Sequence, residues 1–211
     1  MEQQKTITEL GNPAKPQGEA GAQMLSQMNE SHFAVSGWGI SFFQLHSNDR
    51  ILDIGCGGGE TLSRLSALLP DATLYGADYS PVSVAESKKK NAADIASCKM
   101  HIIEASVENL PFTDGFFDRI ITVESFYFWP NPAENLKEVY RVLAEKGQFL
   151  IVADIHGDAK LSTEDIENIR KYDLRNPTPD EFRKLLQDAG FSEVRIHLQE
   201  GTSWICAEGR K

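Results

Sequence analysis

Ile51-Leu52-Asp53-Ile54-Gly55-Cys56-Gly57-Gly58-Gly59 joins a short apolar run directly to four glycines. A strand that ends in such a turn is the mark of an open α/β sheet, where ligands bind beyond the strand ends. The glycines let the backbone turn tightly and approach a ligand without side-chain obstruction. The amides that open the next helix then point into the crevice. The spacing discriminates between ligand classes. A dinucleotide turn follows G-x-G-x-x-G, whose third glycine packs helix against strand. Counting from Gly55 gives Gly57 and then Glu60, so that glycine is missing. The pattern is D-x-G-x-G-x-G instead, with Asp53 two residues before the first glycine. A carboxylate there repels a pyrophosphate and suits a ligand that carries an ammonium group.

Outward from this turn, strands and helices alternate. Strands are expected at Arg50–Ile54, 73–77, Met100–Glu104, Phe117–Val123 and 148–153. Helices are expected at 60–69, stopped by Pro70, and from Ser80-Pro81 to about residue 95. Two more are expected at 132–143, ended by Lys146-Gly147, and at 178–189, capped by Gly190. Ser80 and Pro81 have the residue types favoured at a helix N-cap and first turn. Two final strands, Ser192–Leu198 and 203–207, are joined through Glu200-Gly201. That link is too short for a crossover helix, so they must pair antiparallel. The prediction is an α/β, Rossmann-like domain: a seven-stranded, mostly parallel sheet with helices on both faces and an antiparallel C-terminal hairpin.

Two segments stand outside the alternation. Residues 1–22, with Gly11, Pro13, Pro16, Gly18 and Gly21, read as an arm, and residues 22–43 as a helical stretch broken at Ser36-Gly37. Residues 1–43 are therefore expected to form an N-terminal arm and helical lid on a domain spanning 44–211. A helical insert at about 156–177 starts at Ser162-Thr163-Glu164-Asp165 and carries Ile166, Ile169 and Tyr172 at helical spacing. It is expected over the crevice.

The totals bound the partners. The chain has 211 residues, 41% of them hydrophobic and 25% charged, and a formal net charge of −10. That size and composition suit one soluble domain. The acidic balance disfavours nucleic acid and anionic membrane. Lys88-Lys89-Lys90 reads as a solvated helix face. Cys56, Cys98 and Cys206 form no CxxC pair, so neither a disulfide framework nor a zinc site is indicated, and reduced thiols imply a cytoplasmic protein. No apolar stretch approaches a membrane span, and no signal-peptide core is present.

Asp78, closing the second strand, is placed to accept both hydroxyls of a ribose. With Leu74–Ser80 read beside 51–59, 107–112 (Val-Glu-Asn-Leu-Pro-Phe), Phe117-Asp118, 138–143 (Glu-Val-Tyr-Arg-Val-Leu) and the helix 178–191, the chain resembles the class I S-adenosylmethionine-dependent methyltransferases of the small-molecule group, similar to ubiquinone- and menaquinone-pathway enzymes. The resemblance covers about 48–209. It implies S-adenosyl-L-methionine as cofactor and S-adenosyl-L-homocysteine as product. It implies that Asp53, Gly55, Cys56 and Gly57 cradle the methionine half, with Cys56 a small filler. It gives Asp78 the ribose, and Tyr79, Ser106 and Val107 the adenine. Ser106 stands where the family often has an acid. The Glu124 backbone carbonyl would meet the ammonium group.

The acceptor site must come from loops over the crevice. After the fourth strand the chain reads Glu124-Ser125-Phe126-Tyr127-Phe128-Trp129-Pro130, with neither the N/D-P-P-Y/F nor the Pro-Cys motif of nucleic-acid methyltransferases. Tyr127 and Trp129 either line an apolar substrate pocket or pack the core. Trp38 and His32 either cover that pocket or pack. His156, after the fifth strand, and the Glu124 side chain are further possible bases. No metal constellation is assembled, although Asp154 sits near one position that a catechol-type enzyme would use. The expected activity is methyl transfer to a small molecule by a monomer or homodimer. The alternatives are a nicotinamide-dependent oxidoreductase and a non-catalytic S-adenosylmethionine-binding module.

Overall fold

The computed structural model describes residues 6–211, and the first five residues of the expected arm lie outside it. Seven strands form one sheet: β1 (Arg50–Ile54), β2 (Thr73–Asp78), β3 (Met100–Glu104), β4 (Phe117–Val123), β5 (Leu143–Ala153), β6 (Ser192–Leu198) and β7 (Ile205–Arg210). Their order is β3-β2-β1-β4-β5-β7-β6. The first five are parallel, and β7 pairs antiparallel with both β5 and β6. This is the expected fold class, with the hairpin in its expected place.

The reason lies in the strands' two buried faces. Leu52, Ile120, Phe149 and Ile151 enter one core, and their neighbours Ile51, Ile121, Leu150 and Val152 enter the other. A strand with side chains of period two and apolar residues at both phases must be covered on both sides. α7 (Pro132–Val142) and α9 (Pro179–Asp188) cover the first face through Leu136, Val139, Phe182 and Leu186. α3 (Phe33–Ile40), α4 (Glu60–Leu68) and α5 (Pro81–Lys90) cover the second through Val35, Leu62, Leu65 and Val84.

Several boundaries differ from expectation. The arm contains a short helix α1 (Ile7–Gly11) and leads into α2 (Gly18–Ser31). The helical break falls at His32, not at Ser36-Gly37: α3 runs on through Gly37, where a Cβ would overlap the Arg64 guanidinium. The helix after Ser80 ends at Lys90, and α6 (Ala92–Ala96) follows. Between them the buried Asn91 donates to the carbonyls of Gly59 (3.1 Å) and Ser87 (3.0 Å), tying this corner to the glycine turn. β5 starts early: Leu143 pairs with Phe117, then the register shifts around Lys146 (φ 64°), and Gln148 pairs with Arg119. The insert holds α8 (Thr163–Tyr172), capped reciprocally by Ser162 and Asp165. Among the described residues no helix is long and apolar enough to cross a membrane.

Candidate active site

Strand order arranges the site. Along the C-terminal edge of the sheet, β3 leads to Ser106, β2 ends in Asp78, β1 in Asp53-Ile54, β4 leads to Glu124 and β5 to Asp154. A cavity of about 330 Å³ lies over this edge. That volume is within the range of small-molecule pockets. Its far wall is the N-terminal segment, through Pro13, Ala14, Pro16, Met28, Asn29 and His32.

The glycine turn forms the floor. Gly55 sits at φ 72°, and a Cβ there would overlap the Ser125 side chain. Ser125 occupies that space because its hydroxyl bridges Thr122 Oγ1 (2.5 Å) and the Ile54 carbonyl (3.0 Å), tying β4's loop to β1's end. Asp53 is 2% exposed and its Oδ1 has no hydrogen-bond partner. Burial, with the Asp78 charge adding to it, pushes its carboxyl up to about 8. Asp78 is oriented by two amides: Gly57 donates to Oδ2 and Ser80 to Oδ1, both at 2.9 Å. Burial raises its carboxyl, against those two bonds. Cys56 is buried, its thiol raised well above the ordinary range by desolvation, which fits a filler and not a nucleophile.

Over the β2 end, the Tyr79 hydroxyl donates to the Ala14 carbonyl and the Ser80 hydroxyl to the Pro16 carbonyl (2.7 Å). The Lys15 ammonium lies 5.1 Å from the Tyr79 ring centre. Ser106 is engaged with its own loop: it accepts from the Glu108 amide (3.2 Å) and donates to Glu108 Oε2 (3.1 Å). Glu108 itself lines the cavity, as does Val107. The sequence reading passed over Glu108. Its signal was an acid two residues past the position where one was sought.

At the β4–β5 end, Glu124 (φ 53°) is buried. Its Oε1 accepts from the Asp154 amide (2.5 Å), and its Oε2 lies 3.2 Å from the Tyr127 hydroxyl. That hydroxyl is also 3.1 Å from Asp154 Oδ1. A His32 ring nitrogen and one oxygen each of Glu124 and Asp154 fall within 4.8 Å of one another. Burial, then the charge of Asp154, drives Glu124 well above the carboxylate range. Burial holds His32 below the histidine range, with Asp154 pulling the other way.

Of the residues singled out in the sequence, Asp53, Gly55, Cys56, Gly57, Asp78, Tyr79, Ser106, Val107, Glu124, His32 and Trp129 all line this cavity. Three do not. Tyr127 lies behind Glu124, in the core. Trp38 packs edge-on against Phe42 (5.1 Å) and tilted against Trp204. His156 is buried outside the lining, with Nδ1 unpartnered. No residue of the insert at 156–177 lines the cavity either. Asp154 was missed as a partner of His32, although acids following adjacent parallel strands were a visible signal.

The chain is similar to known methyltransferases. A family model described as a methyltransferase domain matches residues 52–151. A chloroplastic 2-methyl-6-phytyl-1,4-hydroquinone methyltransferase of Arabidopsis thaliana is 27% identical over 159 residues, covering 75% of this chain and 44% of the relative. A demethylmenaquinone methyltransferase of Thermus thermophilus is 33% identical over 103 residues, covering 49% of this chain and 46% of the relative. The chain thus spans less than half the length of these curated relatives. The crystal structure of an S-adenosylmethionine-dependent methyltransferase from Aquifex aeolicus superposes with a TM-score of 0.70 at 16% identity, over 90% of this chain and 97% of that one, a likeness of fold.

Proposed function

We propose that this chain is an S-adenosylmethionine-dependent methyltransferase that transfers a methyl group to a small-molecule acceptor, of the quinol kind for which its relatives are named. The observation that carries the reading is Asp53. It is a buried carboxyl with an unpartnered oxygen, beside a glycine turn whose Gly55 and Gly57 hold positive φ. A ligand ammonium group is the partner such an oxygen lacks. The cofactor would run along the sheet edge. Tyr79, Ser106 and Val107 would take its adenine, Asp78 its ribose, and Asp53, Gly55, Cys56, Gly57 and the Glu124 carbonyl its methionine half. Bound there, it supplies an electrophilic methyl on a sulfonium. The chain's own contribution is to align the acceptor with that methyl, and position alone can supply much of the rate. Trp129 and Phe128 would wall the acceptor side, with His32 and Glu124 as its polar groups.

The same reading has residues 1–43 acting as a lid on the domain 44–211, in a cytoplasmic monomer or homodimer. The net charge of −10 supports leaving nucleic acid and anionic membrane out of its partners. Calorimetric titration tests the reading: S-adenosylhomocysteine is expected to bind and NADH to give no heat. Tight NADH binding with none of S-adenosylhomocysteine would overturn it. Turnover to S-adenosylhomocysteine with a panel of quinols separates an enzyme from a binding module.

A further inference from the structure

We propose that His32, within 4.8 Å of Asp154, is the general base for a phenol-class acceptor. The inference rests on the methyltransferase reading above and names the acceptor chemistry of the same site.

The argument starts from position. The glycine turn and Asp78 occupy the β1–β2 stretch of the edge, so the nucleoside and methionine halves fill the cavity from β3 to β1. What remains is the β4–β5 end, where His32 and Glu124 face the cavity beside Phe128 and Trp129. Flat aromatic walls suit a flat ring. The polar groups suit one whose hydroxyl must ionise. Burial keeps His32 neutral, hence able to accept a proton at neutral pH. An imidazolium formed there needs a counter-charge, and the Asp154 carboxyl is within 4.8 Å. Two carboxyls this close do not both ionise readily. Burial, then the charge of Asp154, favours the neutral form of Glu124, the deeper of the two. Tyr127 sits between both carboxyls and fixes their spacing. Carboxylic acids and low-pKa thiols reach an active site already ionised, and a neutral amine attacks through its own lone pair. A phenol is the class that gains from a neutral imidazole.

The atoms balance as follows. The hydroxyl proton passes to the free His32 nitrogen. The phenolate pair, at oxygen or at a ring carbon ortho to it, forms the bond to the methyl carbon. The methyl–sulfur bond breaks with its electrons going to sulfur. In the carbon case the ring rearomatises by moving its C–H proton to the oxygen. One proton leaves on His32 and is released to water. His32 is the catalytic residue in this scheme, and Asp154 and Tyr127 are positioning residues.

Two measurements on the full chain test this without turnover. In an NMR titration of the imidazoles, with His32 assigned by its loss in His32→Gln, Asp154→Asn is expected to lower the His32 pKa. Glu124→Gln, a neutral amide for a neutral acid, is expected to leave it in place. An unmoved His32 in Asp154→Asn overturns the proposal, as does an equal fall in Glu124→Gln. The second probe is 4-nitrophenol, whose absorption reports its ionisation. With S-adenosylhomocysteine bound, one pH unit below the dye's free pKa, the bound dye is expected as phenolate in the wild type and as phenol in His32→Gln. The same spectrum in both proteins, or no dye binding at millimolar concentration, overturns it. Micromolar Mn²⁺ binding that Asp154→Asn abolishes also overturns it, since a metal needs both carboxylates ionised. If S-adenosylhomocysteine itself fails to bind, the methyltransferase reading fails instead.

Discussion

Burial makes the ionised form of Asp53 unfavourable in this fold. Its carboxyl stands at about 8 in the folded protein, against about 3.9 in an unfolded chain. Between those values the unfolded form binds fewer protons, so stability falls as pH rises from about 4 to about 8 and no further above. An amide carries no such penalty. Asp53→Asn is therefore expected to be more stable than the wild type at pH 8, with the gap closing towards pH 4, in thermal unfolding without ligand. The same variant is expected to lose S-adenosylhomocysteine affinity, because the ammonium partner is gone. Binding to the wild type at pH 6.5 should also release protons, approaching one per site, as Asp53 ionises against the ammonium. Calorimetry in buffers of differing ionisation enthalpy reads this directly. Equal heats across buffers would show that Asp53 stays neutral in the complex. At this scale the sequence was most legible where one residue type has one use: an acid before a glycine turn, an acid closing a strand. It was least legible where a role depends on a partner from another strand. Asp154 meets His32 only because β4 and β5 are neighbours and the α2–α3 junction folds over them. The position of Asp154 just after β5 marks it as an edge residue, but nothing near it in the chain names His32 as its neighbour.

Helices with equal local signals differ in what they bury. α8 and α9 each begin with a complete capping box, Ser162 with Asp165 and Thr178 with Glu181. The sequence predicts α8 on that ground and α9 from the run 178–189 stopped by Gly190. α9 fully buries Phe182 and Leu186, whereas α8 buries no residue. Loss of a cap weakens a helix by about 1 kcal/mol. In α9 that loss reaches the cooperative core, so Thr178→Ala is expected to lower the melting temperature by about 2–4 °C. In α8 it is expected to fray the helix alone, and Ser162→Ala should leave the melting transition unmoved while amide exchange in 163–172 accelerates. Equal shifts in both variants would show α8 to be part of the core. Boundaries elsewhere followed packing more than local preference. Gly37 reads as a helix breaker, yet it is a contact point for Arg64 inside a continuing helix. The break at His32 has no cap residue or proline to mark it. Asn91 ends α5 because its side chain turns inward to the glycine turn more than thirty residues away.

The whole molecule joins a floor made by the sheet edge to a wall made by the N-terminal segment. The floor is the sheet edge, fixed by seven hydrogen-bonded strands and two cores. The wall is the segment from Pro13 to Ser36, which closes the cavity but contributes little to either core before Val35. At the nucleoside end the arm is fastened by the Tyr79 and Ser80 hydroxyls on the Ala14 and Pro16 carbonyls. The nucleoside end of the cavity lies beneath that arm, and displacing the arm opens it. One hydrogen bond of this kind contributes about 1 kcal/mol, which corresponds to roughly a fivefold change in a rate that requires its rupture. Tyr79→Phe keeps the ring against the ligand and removes only the fastening. It is expected to speed S-adenosylhomocysteine dissociation about fivefold in stopped-flow displacement, with amides of residues 14–17 exchanging faster and those of β6 unchanged. An unchanged dissociation rate together with faster exchange would mean that the ligand leaves without the arm being displaced.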